Sequence, residues 1–231
     1  AGFEALGQLK ALQRCNLDFN SSAIQDVTHL GCGIGGMEQL RVLQLRFGHC
    51  RSLKEAAGFE ALDRLKLLRK CDIDFSCSAI QDMSALGAAI GGMSQLRSLR
   101  LSFAWCESLT HLAGFEALGQ LKALQRCNLD FNSSAIQDVT HLGCGIGGME
   151  QLRVLQLRFG HCRSLKEAAG FEALDRLKLL RKCDIDFSCS AIQDMSALGA
   201  AIGGMSQLRS LRLSFAWCES LTHLAGFEAL G

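Results

Sequence analysis

Residues 1–112 recur without one difference as residues 113–224, and Ala225–Gly231 (AGFEALG) begin a third copy. A chain written twice over is confined to folds in which one structural unit is stacked on another of the same kind. Each copy splits again. AGFEALGQLKALQRCNLDF opens one half at Ala1, and AGFEALDRLKLLRKCDIDF opens the other at Ala57. A finer period of 28 residues runs inside the halves. LQRCNLDF begins at Leu12, LRVLQLRF at Leu40, LRKCDIDF at Leu68 and LRSLRLSF at Leu96, and the four restart at Leu124, Leu152, Leu180 and Leu208. The expectation is a single domain over residues 1–231, made of eight units of 28 residues.

Within a unit the hydrophobic period changes. Leu43, Leu45 and Phe47 alternate with Gln44 and Arg46, as do Cys15, Leu17 and Phe19, the period-2 signal of a half-buried strand. Between strands Leu53, Ala56, Phe59, Leu62 and Leu65 recur every third residue, which predicts a helix with Ser52 as its N-cap. Ile24, Val27, Leu30, Ile34 and Met37 form the stripe of the other unit type, and Gly35 and Gly36 are expected to end that helix in left-handed geometry. Strand, helix and strand in sequence demand parallel neighbours, and stacking then buries a continuous core.

The recurring L-x-x-(L/C)-x-(L/I)-x-F resembles the leucine-rich-repeat family, in its ribonuclease-inhibitor-like subgroup with long, helix-bearing units. The resemblance covers the whole chain. It implies an α/β solenoid with a parallel sheet on the concave side and helices on the convex side. One departure concerns the turn. The family's Asn or Cys position is held by Asn20, Gly48, Ser76 and Ala104, preceded by Phe19, Phe47, Phe75 and Phe103. Identity over 112 residues is hard to maintain under drift, since exposed positions tolerate change within about 0.5 kcal/mol. That favours an engineered exact-repeat protein; a very recent duplication is the alternative.

Composition narrows the function classes. The 24 basic and 23 acidic side chains cancel, against the basic excess that nucleic-acid or membrane-surface binding needs. No export signal and no long apolar run is visible, so a membrane partner is not expected. Twelve cysteines at equivalent positions of an apolar pattern read as reduced packing residues, which implies a reducing, cytoplasm-like environment. Cys50, Cys106, Cys162 and Cys218 should form a turn ladder with Ser22, Ser78, Ser134 and Ser190, their weak donors meeting loop carbonyls.

Strings that suggest chemistry fail on context. Gly31–Gly36 spells G-x-G-x-x-G, but a helix precedes it and a strand follows, the reverse of a dinucleotide fingerprint. No C-x-x-C pair offers a zinc site. His29, His49 and His111, each with a copy 112 residues on, sit in an array rather than in a convergent pocket. The reading is a non-enzymatic scaffold without cofactor, metal or small-molecule substrate.

Two surfaces remain as candidates. On the concave face Asn16, Gln44, Asp72 and Arg100 form one outward ladder, and Asp18, Arg46, Asp74 and Ser102 the next. Cross-strand ion pairs Asp18–Arg46–Asp74 and Asp72–Arg100 are expected there, and a protein partner gripped by this face is the alternative function. The ends form the second surface, because neither terminal unit carries a polar capping pattern. Phe3, Leu6, Leu9, Leu12, Cys15, Leu17 and Phe19 should meet Leu208, Leu211, Leu213, Phe215, Leu221, Leu224 and Phe227 of another copy, so the partner is the chain itself. With strands ~4.8 Å apart, helices ~9 Å apart and layers ~10 Å apart, a turn holds roughly 15 units. Eight units then make about half a ring, and two chains are expected to close it.

Overall fold

The structure, a computed structural model, describes residues 2–224 and Phe227. It is an α/β solenoid. The eight strands are β1 (Arg14–Asp18), β2 (Val42–Arg46), β3 (Lys70–Asp74), β4 (Ser98–Ser102), β5 (Arg126–Asp130), β6 (Val154–Arg158), β7 (Lys182–Asp186) and β8 (Ser210–Ser214). They form one parallel sheet in sequential order. Every residue pairs with the one 28 positions on, as in Leu43↔Cys71 and Leu45↔Ile73. The sheet passes through the junction of the two copies with the same register, Leu99↔Cys127 and Leu101↔Leu129.

The opposite layer alternates two kinds of helix. The α-helices α1 (Thr28–Gly35), α2 (Ser84–Gly91), α3 (Thr140–Gly147) and α4 (Ser196–Gly203) follow the odd-numbered strands. The connections after β2, β4 and β6 carry 3-10 segments instead, over Ala57–Arg64, Phe115–Gln120 and Phe171–Arg176, and another spans Gly2–Gln8 before β1. The stripe of apolar residues at every third position is therefore not an α-helix. A 3-10 helix has three residues per turn, so a strict period of three stacks Ala56, Phe59, Leu62 and Leu65 directly above one another and buries them all. Ser52 is no cap. The segment after β2 begins behind Ala56 without a side-chain hydrogen bond.

The α-helices start on an Asx turn. Asp26 Oδ1 accepts the Thr28 backbone N–H at 2.7 Å, and Asp82, Asp138 and Asp194 repeat the bond to Ser84, Thr140 and Ser196 at 2.7–2.8 Å. Their ends also depart from expectation. Gly36 closes α1 in right-handed geometry, φ −78°. Lys10, Lys66 and Lys122 donate to the carbonyls of Gly36, Gly92 and Gly148 at 3.0–3.1 Å, placing a cation on each of these helix C-termini. The glycines of α1 answer a different need, close approach. A Cβ on Gly31 would stand 1.8 Å from the Gly58 carbonyl oxygen, and one on Gly33 would stand 2.0 Å from that of Phe3. The G-x-G string thus lets a helix lie against the two 3-10 segments flanking it.

Between the layers runs a column of phenylalanines. Phe19, Phe47, Phe75, Phe103, Phe131, Phe159, Phe187 and Phe215 stack with ring centroids 5.3–5.9 Å apart and planes within 13° of parallel. Each internal 3-10 segment inserts one more ring against two members of the column. Phe59 meets Phe47 at 5.7 Å and Phe75 at 6.3 Å, and Phe171 meets Phe159 at 6.1 Å and Phe187 at 6.4 Å. Offset stacks and tilted contacts of this kind contribute beyond the area they bury. Among the described residues no buried side-chain nitrogen or oxygen lacks a partner.

Candidate functional site

The polar face of the sheet carries its charges differently from the expected lateral ladder. Arg46 reaches diagonally to Asp72, not sideways to Asp18 or Asp74, and holds it bidentately at 2.8 and 3.0 Å. Arg158 and Asp184 repeat the fork at 2.8 and 2.9 Å. The reason lies in prior commitments. Asp18 accepts the Asn20 N–H at 2.9 Å, while Asp74 accepts both the N–H and the hydroxyl of Ser76 at 2.9 and 2.5 Å. Asp72 has no turn to serve and is buried, so the guanidinium goes to the carboxylate that most needs a counter-charge. Asp72 and Arg100 form no ion pair within 4 Å. Burial works most strongly to raise the Asp72 carboxyl, but Arg46, with help from Arg100 and Gln44, outweighs it and holds it below its ordinary value. For Asp184 the Arg158 hydrogen bond is the leading cause of the same shift.

The remaining candidates on this face are modest. Asn16 and Asp18 on β1 are exposed, Gln44 is half-buried, and Arg100 is exposed beside the buried Ser102. Ser102 Oγ lies 2.8 Å from Ser76 Oγ. The face is largely occupied with its own hydrogen bonds.

The turn beyond each strand holds a feature that the sequence reading did not extract. Ser21, His49, Cys77, Trp105 and their copies Ser133, His161, Cys189 and Trp217 all adopt φ between +57° and +61°. In the seven that precede another strand the N–H groups continue the parallel ladder past the strand ends, as in His49 to the Ser76 carbonyl and Cys77 to the Ala104 carbonyl, both 2.8 Å. The signal was present: these residues recur two places after each column Phe. Left-handed geometry is uncommon for Cys, His or Trp, yet Trp217 adopts it at the last unit without that bond, so the conformation belongs to the turn of each unit. The turn position itself is partly of the family's kind, since Asn20 and Asn132 accept the Gly48 and Gly160 N–H at 2.7 Å. The cysteine ladder stands as expected. Cys50, Cys106, Cys162 and Cys218 donate to the carbonyls of Phe19, Phe75, Phe131 and Phe187 at 3.0–3.2 Å. Trp105, with His49, Cys77, Arg51 and Glu107, lines a shallow groove of about 390 Å³, which recurs around Trp217.

His29 and His141 lie 2.6 and 3.1 Å from Glu4 and Glu116 on the exposed helical side. Among the described residues no cluster of three or more His, Cys, Asp or Glu is placed to hold a metal. No helix there is long and apolar enough to cross a membrane.

The terminal surfaces differ most from the interior. Leu9 is 47% exposed while its copy Leu121 is 0%; Phe3 is 44% exposed against 1% for Phe115; Leu224 is 61% exposed against 1% for Leu112. Leu211 is exposed too, and Leu6, Leu12, Leu17, Phe19, Leu208, Leu213, Phe215, Leu221 and Phe227 are half-buried; Cys15 alone of the set is buried. The set forms two apolar faces, one at β1 and one at β8.

Comparison with known structures decides the architecture. The chain superposes on the plant peptide hormone receptor RGFR1 in complex with RGF2 with a TM-score of 0.53 at 18% identity, covering 96% of this chain. On the LRR protein of Leptospira interrogans the TM-score is 0.53 at 17% identity, covering 94% of this chain. The fold is the leucine-rich-repeat solenoid. No protein-family profile matches the chain, and no curated protein matches its sequence. The chain spans 37% and 55% of those two leucine-rich-repeat proteins, so the likeness concerns the repeat fold alone.

Proposed function

We propose that this leucine-rich-repeat chain is a non-enzymatic, engineered scaffold whose activity is head-to-tail stacking on copies of itself. One observation carries the reading. Side chains exposed at the β1 and β8 faces belong to the same sequence segments whose copies the internal junction of β4 and β5 buries, as with Leu9 and Leu121 or Leu224 and Leu112. Their burial by a sister molecule gains roughly 25 cal/mol per Å² of apolar surface, and the internal junction supplies the template for fit. Such a contact is heterologous, and it closes only if the bend suits. At roughly 15 units per turn, two chains of eight strands close a ring. The outer layer includes slim 3-10 segments, and a thinner layer bends less; a ring of three is the direction of departure.

Sedimentation at micromolar concentration tests this. A species of twice 25.0 kDa is expected, shifting toward the monomer on dilution. A particle that stays at 25.0 kDa throughout sinks the reading, and a mass of three chains corrects the count.

A second reading is a protein-binding module using the polar sheet face. It is favoured by the peptide hormone receptor RGFR1, whose structure is a complex with RGF2. Charge reversal at Asp74 or Arg100 would then abolish capture of a partner while leaving the oligomer unchanged.

A further inference from the structure

We propose that Phe3 and Phe227, equivalent residues of the repeat, compete for a single slot in the head-to-tail contact, so that stacking proceeds by displacing one of the two rings. This rests on the stacking reading above and adds to it a partner register and a built-in brake.

The internal junction shows what the slot holds. Phe115 is inserted between Phe103 and Phe131, with ring centroids 6.0 Å from each, and its N–H donates to the Leu112 carbonyl at 3.1 Å. One ring fills the space between two column neighbours that are themselves 5.5 Å apart. At the two ends the same contact exists in halves. Phe3 lies 5.5 Å from Phe19, which supplies the β5-like side. Phe227 lies 6.3 Å from Phe215, which supplies the β4-like side, and its N–H points to the Leu224 carbonyl at 3.4 Å as that of Phe115 does to Leu112.

Transferring the internal register to two molecules sets β8 beside β1 of the second molecule, Leu211 opposite Cys15 and Leu213 opposite Leu17, as Leu99 and Leu101 stand opposite Cys127 and Leu129. Phe215 then stacks on the second molecule's Phe19. The space between them takes one phenylalanine, yet Phe227 already occupies it from one side and Phe3 from the other. Interiors packed to crystal density do not admit a second ring or a second backbone. One segment must leave, and the apolar contact it made is lost with it. The sister contact is therefore weaker than the covalently continuous junction it copies, and removing either anchor should strengthen it.

Three full-length variants decide this: Phe227→Ser, Phe3→Ser and the double variant, with the dimer dissociation constant measured by sedimentation equilibrium and folding followed by circular dichroism. Competition predicts reversed signs. Phe227→Ser should bind at least tenfold more tightly than the parent, and Phe3→Ser should tighten as well, because each frees the slot for the remaining ring. The double variant leaves the slot empty and should bind at least tenfold more weakly than the parent. If each single variant weakens association or leaves it unchanged, the competition is wrong while head-to-tail stacking survives. If the parent and all variants stay monomeric, stacking itself fails and takes this inference with it.

Discussion

The first unit and the fifth are the same sequence in two environments, and comparing them isolates what a neighbour contributes. Phe3, Leu9 and Cys15 recur as Phe115, Leu121 and Cys127. With β4 beside them, Phe115 and Leu121 are out of water; without it, Phe3 and Leu9 are nearly half exposed. The space around the backbone differs too: a Cβ on Gly114 would lie 2.5 Å from the Ser84 Cα of α2, whereas one on Gly2 would meet nothing within 4 Å. Even a thiol registers the difference: burial pushes Cys127 up to about 12, and raises Cys15 too, though it keeps some exposure. In a repeat protein, then, the unit does not own its core. Half of it belongs to the interface with the next unit.

The largest effect should come from placing a charge on the two ends of that comparison. Leu101 is fully buried between β3 and β5, so Leu101→Asp strands a carboxylate in the middle of the solenoid and should cost on the order of 4–5 kcal/mol, or prevent folding. Its copy Leu213 on β8 is only half-buried. Leu213→Asp should cost about 1–2 kcal/mol in chemical denaturation and abolish association in sedimentation. Equal losses of stability would mean that the β8 face is covered in the folded chain.

Glycine gives the next step down. A Cβ at Gly145 would lie 2.2 Å from the Phe115 carbonyl oxygen, held between neighbours on both sides, and one at Gly33 would lie 2.0 Å from that of Phe3 in the first segment. The clash is alike, but the terminal segment has only one side packed and can lift. Gly145→Ala should lower stability by about 1–3 kcal/mol and Gly33→Ala by clearly less, read as the shift in thermal midpoint. A reversed order would show that the first 3-10 segment is held as firmly as the internal one.

These cases also show how far the sequence could be read. Periodicity located every strand, because alternation such as Leu43-Gln44-Leu45 has one physical meaning, and a fixed repeat settles the parallel register. The cysteine ladder followed from the same repeat, whereas the stacking of Phe19, Phe47, Phe75 and Phe103 into a column is visible only in the structure. What escaped were matters of degree in geometry. A three-residue period such as Ala56-Phe59-Leu62-Leu65 predicts a helix without naming its kind, because α- and 3-10 helices both bury one stripe and only the strictness of the period separates them. Gly35 and Gly36 have the pattern of terminators, although their use is proximity to a neighbouring backbone that no linear pattern displays. The ion pairs failed for a similar reason. Arg46 had three carboxylates in range, and the choice depended on which were already engaged by turn N–H groups.

That choice makes an intermediate effect measurable. Removing the guanidinium leaves a buried carboxylate with only amide and more distant cationic neighbours, so Arg158→Gln should cost about 1–3 kcal/mol, moderated by the partial exposure of the Arg158 side chain. The pH dependence has a definite sign. Asp72 and Asp184 are held below their ordinary value of 3.8, so their contribution is present above about pH 4 and is lost as the pH falls through the lowered folded value. The double variant Arg46→Gln/Arg158→Gln should flatten the acid limb of a stability–pH curve. An unchanged limb would place the acid sensitivity elsewhere.

The smallest perturbation, labelling of thiols, reads the comparison without changing the sequence. Cys32 and Cys144 are exposed on α1 and α3, Cys77 and Cys189 are half-buried in the turns, and the other eight are buried. Burial also pushes Cys71 and Cys183 up to about 12, and Cys106 and Cys162 up to about 11, which removes the reactive thiolate at neutral pH. A thiol reagent at pH 8 should therefore modify Cys32 and Cys144 first and Cys77 and Cys189 next, with all twelve reached only in denaturant. Cys15 and Cys127 are the informative pair, because they are one residue with and without a preceding strand. In the monomer Cys15 should label before Cys127, located by mass spectrometry of the digested protein. Once β8 of a second molecule covers β1, Cys15 acquires the neighbour that Cys127 already has, and the two rates should converge as protein concentration rises. Rates that stay apart at every concentration would mean that nothing comes to lie on β1.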